Sequence, residues 1–142
     1  MRYWDSSSII PLFVEQDGSA SLLALLSDDR QVVTWWGSRV ECASAFNRLL
    51  RDGLIGEGDF EEIRKQFDRL ASSWTETQPT EKVRRRSMRL LRLHPLRAAD
   101  ALQLAAALIA CEENPQTLPF VCSDLRLREA AAKEGFRVVP SL

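Results

Sequence analysis

The chain has 142 residues, of which 45% are apolar and 27% charged, with a formal net charge of −1. That is the size of one domain with one core, and the composition is typical of a globular protein rather than a disordered or membrane one. The longest unbroken apolar run, Leu104 to Cys111, is too short to span a bilayer.

In chain order, MRYW reads as a short strand ending at Asp5. SSSIIPLF opens a helix on Ser6 or Ser7, and SASLLALLSDD continues in helical character. QVVTWW, β-branched and aromatic, is a second strand. It runs into the helix GSRVECASAFNRLLRDG, with Ser38 as N-cap and Gly53 near its end. GDFEEIRKQFDRLASSW is a further helix, and Pro79 to Leu93 another. LRAADALQLAAALIA, residues 96 to 110, is helical and apolar almost all the way round, with Pro95 suited to its first turn. LPFVCSD is a third strand, LRLREAAAKEG a helix ending at Gly135, and FRVVP a closing strand. Strands alternating with helices predict an α/β fold, with a mostly parallel sheet of four or five strands and helices on both faces. In such sheets ligands bind beyond the carboxyl ends of the strands.

Four acids fall at those ends or at helix starts. Asp5 follows the first strand, Glu41 lies in the first turn after the second, Asp124 follows the third, and Asp100 sits early in the buried helix. Each has a plain structural alternative. Asp5 and Asp124 are good N-cap residues. Ser38 and Glu41 spell a capping box, and Asp100 with Gln103 a weaker one. Capping leaves unexplained why all four share one edge of the sheet, where they would repel one another unless a cation intervened. An all-oxygen donor set suits Mg²⁺ or Mn²⁺. His94 is the only histidine and precedes a proline, so it reads as structural or phosphate-facing, and nucleophilic triads lack a base. Metal-assisted phosphodiester hydrolysis remains. A phosphatase with an aspartyl nucleophile would want a second Asp two residues after Asp5, and position 7 is Ser.

Lys82, Arg84, Arg85, Arg86, Arg89, Arg92 and Arg97 place seven cations in sixteen residues with no acid among them. They are either a solvated helix face or a surface for a polyanion. The three cysteines, Cys42, Cys111 and Cys122, are odd in number and unpatterned, which fits reduced thiols. The N-terminus carries no export signal, so a cytoplasmic location is expected.

These motifs resemble the PIN domain family, specifically the VapC-like ribonuclease toxins of toxin–antitoxin systems. The resemblance rests on YWDSSSIIPLF, SRVECASAF, HPLRAADALQLAAAL and FVCSDLRLREAAAKEGFRVV, and spans essentially the whole chain as a single nuclease domain, residues 1–142. It implies a PIN-like three-layer α/β fold and a metal-dependent endoribonuclease that forms a homodimer and is held inactive by a cognate antitoxin. Its catalytic and metal-binding acids fall on Asp5, Glu41, Asp100 and Asp124, with Mg²⁺ or Mn²⁺ held most directly by Asp5 and Asp100. Ser7 would orient Asp5 or a nearby water, or cap the helix. Where many relatives have Thr this chain has Cys122, so any hydroxyl there must come from Ser123. Arg85, Arg89, Arg92 and Arg97 would face the RNA. Trp35 and Trp36 stand where relatives have small residues, one expected in the core and the other under a partner, with stacking on RNA bases the alternative. A catalytically inactive binding module is the other reading the motifs allow.

Overall fold

The computed structural model describes residues 1–142. Five strands, β1 (Arg2–Trp4), β2 (Val32–Trp35), β3 (Thr75–Thr77), β4 (Phe120–Val121) and β5 (Val138–Val139), form one sheet. Their order is β3-β2-β1-β4-β5, and every neighbouring pair is parallel. Seven helices surround it: α1 (Ser6–Ile9), α2 (Ser19–Asp28), α3 (Ser38–Arg51), α4 (Glu57–Ala71), α5 (Glu81–Leu93), α6 (Ala98–Ala110) and α7 (Leu125–Lys133).

Side chains alternate across a strand, so β1, β2, β4 and β5 each feed two cores. Tyr3, Val33, Trp35 and Phe120 pack with α5, α6 and α7 on one face. Trp4, Val32 and Val121 pack on the other with Ile9, Leu22, Cys42, Phe46, Ile63 and Phe67 from α1 to α4. The expected three-layer α/β arrangement results. β1 is central, with β2 on one side and β4 on the other. The chain therefore leaves the sheet in opposite directions about β1, and the crevice past its carboxyl end is the place where such a fold receives a ligand. The next residue is Asp5.

Several local expectations need correction. The helix expected through Trp74 ends at Ala71, and the three residues that follow Trp74 form the edge strand β3, paired with β2 from Val33–Thr75 to Trp35–Thr77. Thr-Glu-Thr has no apolar face because an edge strand pairs through its backbone, and its part-buried side chains are polar ones with partners: Glu76 accepts the Trp74 indole N–H at 2.9 Å and the Thr77 hydroxyl donates to the Ala106 carbonyl at 3.1 Å. Pro95 does not enter the first turn of α6. That helix begins at Ala98, after Arg97 in extended conformation (ψ 165°), so Asp100 lies in its first turn. The segment after Asp5 is not one long helix: α1 passes into a 3-10 turn, Ile10–Leu12, around Pro11, and α2 starts afresh after Gly18, whose φ of 90° favours glycine. Gly37, not Ser38, sits at the cap position of α3, and Ser38 is the first helical residue. A Cβ on Gly37 would lie 2.5 Å from the Trp35 indole nitrogen, so only glycine fits beneath that ring.

Candidate active site

Asp5 ends β1 and caps α1, its carboxylate accepting the Ser7 backbone N–H at 3.2 Å and the Ser7 hydroxyl. The Cys122 thiol donates to the same oxygen, Oδ2, at 3.5 Å. The side chain is buried (3% exposed) and its hydrogen-bond donors are all neutral. Burial, and then the charge of Glu41, push its pKa up to about 7 against the pull of the Ser7 and Cys122 hydrogen bonds. Ser7 in turn accepts the Ser123 backbone N–H at 3.1 Å, and the Ser8 and Ser123 hydroxyls meet at 3.1 Å. Ser7 and Ser123 thus join the end of β1 to the end of β4. Of the two, only Ser7 bonds to the acid directly. The Cys122 thiol, where relatives have a hydroxyl, bonds to Asp5 Oδ2 and to the Asp124 backbone carbonyl at 3.5 Å, and not to the Asp124 carboxylate.

Glu41, one turn into α3, does not form the expected capping box with Ser38. It accepts the Ser6 hydroxyl at 2.7 Å and the Gln103 amide at 3.1 Å. Ser38 instead turns inward, sharing a 2.7 Å hydrogen bond with Thr34 and accepting from Gln103 at 3.0 Å. The Tyr3 hydroxyl donates to Gln103 at 2.6 Å. Tyr3 and Gln103 are fully buried, so this network is a rigid mount that aims Glu41 across the sheet end. Burial, and next the charge of Asp100, raise the Glu41 pKa, opposed by Ser6 and Gln103.

Asp100 and Asp124 line an open cleft of about 720 Å³ with Arg97, Ala99, Ser123, Leu125 and Arg126. Burial raises the Asp100 pKa, and the charge of Asp124 adds to it. The Arg97 backbone N–H and the Arg97 and Arg126 guanidiniums pull the other way. Asp124 caps α7, accepting the Leu127 N–H at 3.0 Å. Capping is therefore real for Asp5 and Asp124, but it engages one oxygen of each.

The four acids are electrostatic neighbours in succession, Asp5 beside Glu41, Glu41 beside Asp100, Asp100 beside Asp124. No three of them close into a ready cage for an ion. The donor set does fit a hard divalent cation. It is all oxygen, burial raises the pKa of Asp5, Glu41 and Asp100, and its most buried member, Asp5, is held only by neutral donors and faces another carboxylate.

The other expected residues separate. Arg97 lies at the cleft and Arg92 is exposed on α5. Arg85 and Arg89 line a different depression, with Ile109 and Glu112 at the opposite end of α6. His94 is buried with Nε2 2.6 Å from a Glu134 carboxylate oxygen, a structural position. Trp35 is in the core, and Trp36 is half exposed. Sequence reasoning missed Ser6, Arg126 and the mounting role of Gln103. The signal for Gln103 was available: an amide in the middle of an all-apolar buried helix requires partners.

No family model matches the sequence. Two curated relatives from Mycobacterium tuberculosis do: Ribonuclease VapC45 (strain CDC 1551 / Oshkosh) and Ribonuclease VapC49 (strain ATCC 25618 / H37Rv). Each is 27% identical over 142 residues, covering 98% of this chain and 94% of the relative. With its parallel α/β sheet and its acids at the strand ends, the chain is VapC-like along essentially its whole length.

Proposed function

We propose that this protein is a metal-dependent endoribonuclease and the toxin of a toxin–antitoxin pair, with residues 1–142 acting as one nuclease domain. The observation that carries the reading is Asp5. A carboxylate is buried at the switch point of a parallel sheet, beside Glu41 and with no cation against it, an arrangement that costs folding energy and gains from a divalent ion. The ribonuclease names of both whole-chain relatives support the same substrate class.

Asp5 and Asp100 would hold Mg²⁺ or Mn²⁺ directly, with Glu41 and Asp124 contacting it through water or completing a second position. When bound, such an ion polarises a phosphodiester and lowers the pKa of water. The chain's own residues do the rest. Ser7 and Cys122 keep the Asp5 oxygen oriented, Gln103 and Ser6 aim Glu41, and Arg97 and Arg126 flank Asp100 and Asp124 where a phosphate enters the cleft. Single-stranded RNA is the accessible substrate, since an A-form duplex hides its base edges. A homodimer, a cognate antitoxin and a cytoplasmic setting belong to this reading. No helix is long and apolar enough to cross a membrane.

Cleavage of single-stranded RNA by the purified protein with Mg²⁺ or Mn²⁺, set against EDTA and Asp100→Asn, tests it. Metal-dependent cleavage that fails in the variant is the expected result, and undiminished cleavage by Asp100→Asn sinks it. The spacing of the acids, none of which form a closed cage of three, favours the second reading, a binding module that holds RNA without cutting it. RNA binding with no cleavage under any divalent ion would select that reading.

A further inference from the structure

The cations of α5 are unequal. Arg84 pairs with Glu81 at 2.8 Å, and Arg86 pairs with Glu113 at 2.7 Å and Glu134 at 3.3 Å. Lys82, Arg85 and Arg89 make no ion pair although they stand at i, i+3 and i+7, one stripe of the helix, where like charges repel. That stripe lines a depression of about 600 Å³ whose other wall is Ile109 and the turn at Glu112 and Glu113.

Two details indicate a built surface rather than a solvated face. Glu112 and Glu113 have φ of 51° and 61°, a left-handed conformation that non-glycine residues adopt at a cost. The turn they make holds the Glu113 carboxylate on Arg86 Nε. Arg86, neutralised in this way, forms a fixed floor, and its Nη1 is buried with no hydrogen-bond partner. Above that floor three unpaired cations face a single unpaired acid, Glu112.

We propose that this depression is a phosphate subsite for the RNA strand whose scissile bond lies in the carboxylate cleft. The proposal rests on the ribonuclease reading and assigns the path of the strand. α5 and α6 are joined by a short connection, so the start of α5 lies beside the end of α6. At a rise of about 1.5 Å per residue, Asp100 and Ile109 are about 14 Å apart along α6. A strand leaving the cleft past Arg97 therefore meets Arg92, then Arg89, Arg85 and Lys82, a few nucleotides from the cut. The contact is to backbone phosphate, so it supplies affinity and direction without reading sequence.

Binding of a fluorescent single-stranded RNA, measured in EDTA across a potassium chloride series, tests the proposal without requiring cleavage. The triple variant K82Q/R85Q/R89Q changes only exposed positions, and its melting curve reports on folding. A control pair, R48Q/R51Q on α3, removes charge elsewhere. Single-stranded contacts contribute about −0.7 each to the slope of log K against log salt, so the triple variant should flatten the slope by about 2. Between 50 and 200 mM salt the wild type should then lose roughly 20-fold more affinity than the triple variant. Millimolar inorganic phosphate should weaken wild-type binding more than that of the triple variant, which keeps the cleft arginines Arg97 and Arg126. An unchanged slope, or equal flattening in the control pair, overturns the subsite, as would loss of binding to an acidic protein with RNA binding intact. Wild-type binding with the expected slope but no cleavage in Mn²⁺ would refute the nuclease reading and leave the subsite standing.

Discussion

The Gln103 amide nitrogen stands 3.1 Å from Glu41 Oε1 and 3.0 Å from Ser38 Oγ, while its oxygen accepts the Tyr3 hydroxyl at 2.6 Å. One buried side chain of α6 therefore fixes an acid on α3 from across the sheet. Gln103→Leu, close in volume, leaves the Tyr3 hydroxyl and one side of Glu41 without partners. A loss of about 2 to 4 kcal/mol in urea unfolding is expected, with Tyr3→Phe costing less because it removes one donor and leaves the Gln103–Glu41 bond intact. Equal stability of Gln103→Leu and wild type would show that the mount carries no weight.

Asp5 sets the sign of the pH dependence. Its pKa lies at about 7 in the folded protein against 3.8 ordinarily, so between those values the folded state binds more protons than the unfolded state. Stability in EDTA should fall as pH rises through that window, by a few kcal/mol at most for this group, and level off above about pH 7. Glu41 and Asp100, both also raised, act in the same direction. Asp5→Asn removes the ionisation. The variant should match wild type near pH 4 and exceed it at pH 8, as read from urea midpoints. A variant less stable than wild type at pH 8 contradicts the electrostatic account.

On the proposed reading, a bound divalent ion would reverse that penalty. At pH 8, Mn²⁺ at about 100 times its dissociation constant should stabilise the protein by about 2.7 kcal/mol, seen as a rise in Tm. The rise should shrink toward pH 6 as protons compete for the same oxygens. Asp100→Asn should lose most of it. Calorimetric titration that finds the same affinity in wild type and variant would remove Asp100 from the ligand set.

Arg126 sits in the cleft with Asp100 and Asp124 and lowers the Asp100 pKa through its charge. Its expected work is on the phosphate. Arg126→Gln should raise KM for RNA several-fold and change kcat less, and Arg126→Lys should recover part of the loss. A pure kcat effect with unchanged KM would place Arg126 in a different role.

Much of the fold was legible because the apolar periods are strong. Residues 101 to 108, apolar apart from Gln103, read as a buried helix, and QVVTWW and LPFVCSD read as strands of a mostly parallel sheet. β3 was not legible, since Thr-Glu-Thr at an edge is held by backbone pairing with β2 and carries no pattern of its own. The acids were legible from their places at strand ends and helix starts. Their mounts were not: the Ser38–Glu41 spacing allows a capping box equally well, and only the approach of α6 brings Gln103 to claim both residues. The stripe on α5 was visible as a run of cations, but which of them are neutralised depends on Glu113 and Glu134, 27 and 48 residues from Arg86.

The switch of direction at β1 has a mechanical consequence. Glu41 belongs to the helical layer on one face of the sheet, Asp100 to the layer on the other, and Asp5 to the strand between them. A ligand gripped by all three is a rivet through the full thickness of the molecule. Loading the cleft should slow amide hydrogen exchange in α3 and α6 together, so that two layers otherwise free to open separately come apart only as one unit.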